Sequence, residues 1–183
     1  MKLIYVIFVW LVALALSGVL QAQALPTASR SPVQIGIAGS IASSDFGLDY
    51  VKGFTLFGDL NFSRRLGVEA EFHDTNLSTP DNVGEQTYLV GPRYSIALED
   101  RANIRANIYV KALGGIGRFT YEPPQFIHHS DTYAVGVAGA GIEFRVSTHF
   151  NVRAIDIEYQ TWPGFPPHGL TPFVTTIGIA YVH

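Results

Sequence analysis

The sequence predicts an all-β chain, an eight-stranded antiparallel up-and-down transmembrane β-barrel preceded by a helical signal peptide. Three observations carry this. The chain opens on Met1-Lys2 and an uninterrupted apolar run of 14 residues, Leu3–Leu16, and then reaches Ala22-Gln23-Ala24, whose small residues mark a secretory cleavage site. From Val33 onward, apolar and polar residues alternate in eight segments separated by turn residues. There is no cysteine, so an exported chain of this size lacks the usual small-domain disulfides and must be held by a large core or by a bilayer.

The apolar run falls short of the roughly 20 residues that a spanning helix needs, and no Lys/Arg cluster follows it as a stop-transfer flank. A signal peptide over 1–24, a short leader over 25–32 and a barrel over 33–183 are therefore expected. The first strand starts at Val33, with Ile35 and Ile37 on its face. The second, about Tyr50–Phe62, sets Phe54, Leu56, Leu60 and Phe62 against Thr55, Asp59 and Asn61. In the third, Leu66, Val68, Ala70 and Phe72 alternate with Gly67, Glu69, Glu71 and His73. The fourth, Thr87–Leu98, aligns Tyr88, Val90, Tyr94, Ile96 and Leu98 against Thr87, Gly91, Arg93 and Ser95. The fifth, Ile104–Thr120, aligns Ile104, Ala106, Ile108, Val110 and Ile116 against Arg105, Asn107 and Lys111.

The sixth, Thr132–Val146, changes phase between Val137 and Ile142, and its glycines Gly136, Gly139 and Gly141 predict a bulge there. The seventh, about Asn151–Thr161, puts Ile155, Ile157 and Tyr159 opposite Asp156, Glu158 and Gln160. The last, about Pro172–His183, aligns Phe173, Ile177, Ile179 and Tyr181.

Connections after the even strands read as short and those after the odd strands as longer, the pattern of a membrane barrel. Aromatic residues gather in two belts. Tyr50, Phe54, Phe72, Tyr88, Tyr121, Tyr133, Tyr159, Trp162 and Phe173 lie toward the long loops; Phe62, Tyr94, Phe144, Phe150 and Tyr181 lie toward the short turns. In a closed barrel the opposite faces point inward. Asp59, Glu69, Glu71, Glu143, Asp156 and Glu158 then meet Arg93, Arg105, Lys111 and Arg145 in a lumen that eight strands leave just wide enough for side chains, and these charges should pair into a plug.

Without Lys2 the mature chain carries 11 Lys+Arg against 15 Asp+Glu and no basic block, which argues against nucleic acid. Neither a cofactor nor a metal site is expected. Glu69 and Glu71 have the types of a paired-carboxylate hydrolase but no substrate cleft. His128-His129-Ser130-Asp131 has the types of a nucleophilic or, with His168, a metal site, although a polar surface loop expects the same residues. The run Trp162-Pro163-Gly164-Phe165-Pro166-Pro167 reads as a stiffened loop with Trp162 at the lipid headgroups.

The His128-x-Ser130 pair resembles part of the motif of outer-membrane lipid A deacylases, with Glu143 one position from the place of that family's Glu. The whole of 33–183 resembles the small outer-membrane barrels of the OmpA-like transmembrane type. Their final strand leads alternating apolar residues to a terminal aromatic; here Ile177, Ile179 and Tyr181 fit and His183 stands where Phe is usual. Arg153–Tyr159 followed by Trp162 also resembles their penultimate strand. The resemblance implies an integral protein of the cell outer membrane, with a structural, adhesive or loop-display role and no enzyme activity. It implies contacts with outer-membrane lipids and lipopolysaccharide, the last strand as the signal read by the insertion machinery, and a monomer. The alternatives are a lipid A deacylase-like hydrolase and a soluble lipocalin-like barrel. The sequence names no ligand.

Overall fold

A computed structural model describes residues 33–43, 50–78, 83–99, 105–121 and 129–183, with side chains described throughout these except at 77, 78, 83, 99, 105, 121, 129 and 130. The expected signal peptide and leader lie outside the described residues. The strands are β1 (Val33–Ser43), β2 (Tyr50–Asn61), β3 (Leu66–Ser78), β4 (Val83–Glu99), β5 (Arg105–Tyr121), β6 (His129–Arg145), β7 (Phe150–Thr161) and β8 (Phe173–Val182). Each pairs antiparallel with its sequence neighbours, and β1 pairs with β8 from Gln34↔Val182 to Ser43↔Phe173, so the barrel closes in chain order. A closed sheet has no free edge, which is what a backbone in hydrocarbon requires.

The period-2 pattern sorts the faces. Outward stand Ile35, Ile37, Leu56, Leu60, Val90, Ile108, Val110, Ile177 and Ile179, with Ile35 65% and Ile177 60% exposed. The inward positions include Asp59, Glu69, Glu71, Arg93 and Lys111, all buried. This is the reverse of a soluble barrel, so the lipocalin-like alternative does not describe the chain. Tyr50, Tyr88, Tyr159 and Phe173 form an outward girdle toward the loop end, and Phe62, Phe144, Phe150 and Tyr181 another toward the turn end. The turn end is closed tightly: the Phe62 and Ser63 amides both donate to the Leu66 carbonyl, and those of Val146 and Ser147 to that of Phe150.

Three local expectations are corrected. First, β3 and β4 run on to Ser78 and back to Val83, so the expected long loop between them is largely strand. Second, β6 holds one continuous register with β5 from Arg105↔Arg145 to Tyr121↔His129. The glycines there make room rather than a bulge: a Cβ at Gly139 would meet the Lys111 side chain at 2.8 Å, and one at Gly141 would overlap the Tyr109 ring. Val135 and Val137 therefore face the interior. The bulge sits instead on β7. Ile142 pairs with Ile155 but Glu143 with Arg153, and Arg153 and Asp156 pair with Gly178 and Thr176 of β8, leaving one extra residue at Ala154–Ile155. Third, Trp162 and Tyr133 leave the outer belt: Trp162 is 0% exposed inside the barrel mouth, with Tyr133 packed against its cluster.

Candidate functional site in the barrel interior

The interior has two layers. The lower is ionic, built around three cations. On β4, Arg93 reaches Asp59 Oδ2 at 2.5 Å, Glu143 Oε2 at 2.8 Å and Glu69 Oε2 at 3.4 Å. Its guanidinium lies 3.8 Å from the Tyr109 ring centre. On β5, the Lys111 ammonium sits 2.6 Å from each of Glu71 Oε1, Asp156 Oδ2 and Glu158 Oε1. On β7, Arg153 spans Glu69 Oε1 (2.8 Å), Asp156 Oδ2 (3.0 Å), Glu71 Oε1 (3.1 Å) and Glu143 Oε1 (3.1 Å). It also stacks on Phe57 at 3.5 Å. Gln34 donates to Asp59 at 2.8 Å and to Glu143 at 3.1 Å, and Asn151 donates to Gln34. Charges this deep are tolerable only when each is shared among several opposite partners and hydrogen bonds.

The upper layer is mainly apolar, with Glu85 and Thr87 buried on the rungs of Phe119 and Gly117. Leu89, Leu113, Phe119, Val135, Val137, Trp162, Phe165 and Leu170 form one buried cluster with Tyr133 against it. The β7–β8 connection supplies its lid. Trp162 N donates to Leu170 O at 2.8 Å and Phe165 N to Trp162 O at 3.1 Å, folding the segment back on itself. The Phe165 ring meets Phe119 edge-on at 4.8 Å. Gly117 of β5 lies under Trp162, where any Cβ would overlap the indole. The layers are joined through one chain of donors: Trp162 Nε1 to Gln160 Oε1 (3.4 Å), then Gln160 Nε2 to Glu158 Oε2 (3.1 Å).

Of the ten residues expected to line a charged lumen, Asp59, Glu69, Glu71, Arg93, Lys111, Glu143, Asp156 and Glu158 lie together in the ionic layer. Arg145 does not. It has inward parity but occupies the last rung of β6, where its guanidinium binds the Ser147 and Thr148 carbonyls of the turn at 3.2 and 3.0 Å. Arg105 pairs with it on that same rung, and its side chain lies outside the described residues. The sequence reading missed Arg153. Its parity matches the outward Ile155 and Ile157, and only the bulge beyond it turns it inward. His73 and Tyr109 share the parity of Glu71 and Lys111 and were legible from it.

His128 lies outside the described residues; His129 and Ser130 begin β6, and Asp131 is exposed near the Tyr133 hydroxyl, which donates to it at 3.4 Å. Ser130 and Glu143 stand on one unbroken strand, about 43 Å apart at ~3.3 Å per residue, so the His-Ser-Glu set of a lipid A deacylase does not assemble from them. Glu69 and Glu71 are buried and spent on Arg93, Lys111 and Arg153. At the end of the chain, Ile177, Ile179 and Tyr181 face outward, and the His183 amide donates to the Val33 carbonyl.

An apolar outer wall, two aromatic girdles and a polar interior in a closed eight-stranded sheet define an integral outer-membrane β-barrel. The chain belongs to the family of the outer membrane protein β-barrel domain, whose model matches residues 12–165. Among solved structures, it is similar to Ail, the attachment invasion locus protein of Yersinia pestis, at 16% identity and a TM-score of 0.50, over 84% of this chain and 99% of that one. It is similar to Neisserial surface protein A at 15% identity and a TM-score of 0.55, over 82% and 96%. It is similar to OprG of Pseudomonas aeruginosa at 11% identity and a TM-score of 0.51, over 84% and 97%. Identities this low establish a common fold and nothing finer. No curated protein sequence matches the chain.

Proposed function

We propose that this barrel is a membrane-embedded scaffold that displays its loops at the cell surface in a structural or adhesive role, and that its lumen is a plug. The observation that supports it most is the filling of the interior: an ionic layer bonded across β2–β7 and an apolar layer under the Trp162–Leu170 segment. On this reading the filled interior leaves recognition to the loops and rim. Residues 1–24 are removed on export, the termini face the periplasm, and the last strand, with Ile177, Ile179, Tyr181 and His183, is what the insertion machinery reads. The barrel stands as a monomer among outer-membrane lipids and lipopolysaccharide, without catalytic activity. Ail, an attachment protein by name, offers an adhesive precedent on the same fold.

Two measurements test the proposal together. Planar bilayers holding the purified barrel should show no conductance steps; steady unitary steps overturn the plug. Cells displaying the barrel should bind host-cell or matrix surfaces, or show envelope defects on deletion, in a manner abolished by replacing residues 122–128 with a Gly/Ser linker. Binding or envelope integrity that survives replacement of each loop in turn overturns loop display.

A further inference from the structure

We propose that Glu71, His73 and Glu158 form a buried site for one first-row divalent cation. The His73 ring nitrogen Nε2 lies 3.4 Å from Glu71 Oε2 and 3.4 Å from Glu158 Oε2, and the three ligand atoms lie within 4.8 Å of one another. A point equidistant from three atoms so placed is roughly 1.9–2.4 Å from each, the bond length of zinc to imidazole nitrogen and carboxylate oxygen. The other oxygen of each glutamate is held on Lys111 at 2.6 Å, which leaves both Oε2 atoms turned toward the ring. On its far side, His73 Nδ1 is 2.8 Å from Thr55 Oγ1, itself bonded to Ser40 Oγ. A hydroxyl that accepts from Nδ1–H fixes the tautomer in which Nε2 carries a lone pair, the arrangement that outer-shell partners give to metal-bound histidines.

The charge of the layer is an independent observation. Six carboxylates, from Asp59, Glu69, Glu71, Glu143, Asp156 and Glu158, surround three fixed cations, Arg93, Lys111 and Arg153. Four buried carboxylate oxygens of these residues, Asp59 Oδ1, Asp156 Oδ1 and both of Glu69, accept no hydrogen bond. A divalent ion moves this layer toward neutrality, and one nitrogen with two carboxylates suits zinc and its first-row neighbours better than calcium or magnesium, which favour all-oxygen sets. Since all three ligands are sealed inside, the ion is taken up as the barrel closes.

The test folds the mature chain from denaturant into detergent micelles with ZnCl2 and washes the folded barrel with EDTA. Metal is then measured by plasma mass spectrometry and its coordination by X-ray absorption. Wild type should keep about one zinc per barrel, with a first shell at ~2.0–2.1 Å containing one imidazole. His73→Asn and Glu158→Gln should each lose at least tenfold of the retained metal while keeping the heat-modifiable mobility of a folded barrel. Zinc stripped from the folded wild type by EDTA, or retained equally by His73→Asn, marks an adventitious ion on surface histidines and overturns the proposal. Folded barrel without zinc, with His73 ion-paired to the two glutamates instead, also overturns it. Should neither variant fold, the wild-type absorption spectrum decides: a shell without imidazole is the contrary result.

Discussion

Replacing Arg153 by Met tests how the interior is held together. Arg153 touches four carboxylates, from Glu69, Glu71, Glu143 and Asp156, at 2.8–3.1 Å and covers the Phe57 ring. Met keeps the apolar stem but removes the charge, so six carboxylates are left to Arg93 and Lys111 alone among the fixed cations. Removing one partner of a buried ion pair costs about 3–5 kcal/mol, because the other charge stays buried without compensation. That is about two to three and a half orders of magnitude in the folding equilibrium. Arg153→Lys keeps the charge but loses the planar fork and its stacking, and should cost roughly 1–3 kcal/mol, the scale of a few charged hydrogen bonds. The assay is reversible urea unfolding in lipid vesicles, followed by Trp emission and by gel mobility without boiling. Arg153→Met within about 1 kcal/mol of wild type, or no milder effect of Arg153→Lys, refutes the reasoning.

Three further outcomes are expected. Trp162 is the single Trp of the mature chain and is packed in the mouth, so its emission should be blue-shifted and resist both brominated lipids and iodide; strong quenching by either contradicts that packing. Trp162→Ala should cost about 3–5 kcal/mol in the same urea titration, the range for emptying a buried Trp site; a cost below 1 kcal/mol would mean that the cap does not stabilise the barrel. Val110 stands on the outward row of β5 with Ile108 and Ile116. Val110→Arg should therefore cost about 2–4 kcal/mol in a bilayer, the penalty for a midplane cation on the lipid face; a neutral effect would place Val110 away from hydrocarbon.

Much of this was legible because a strand in a barrel has only two faces. Leu66–His73 alternates without interruption, so Val68 and Phe72 were readable on one side and Glu69 and Glu71 on the other. The same parity carried His73, Arg93 and Lys111 to the inner face, and would have carried Tyr109. Parity fails where the ladder changes. One extra residue at Ala154–Ile155 turns Arg153 inward, and nothing in Arg153-Ala154-Ile155-Asp156 marks a bulge. It fails again where the lumen is not polar: Val135 and Val137 look like lipid-facing residues, yet they face an apolar mouth. Trp162 misleads for the same reason, since an indole suits a headgroup belt and a packed cap equally. Arg145 shows a third limit, in that parity gives the face but not the height: on the last rung the turn's carbonyls serve it better than the buried acids.

The most direct measurement compares two neighbours on one strand. In a Trp162→Phe background, a single Trp is placed at Val110 or at Tyr109, adjacent positions of β5 that face opposite ways, and the folded barrel is titrated with lipids brominated along the acyl chain. The expected result is strong quenching at position 110 and little at 109. Equal quenching, or the reverse order, would mean that the oily side of the sheet does not meet the membrane.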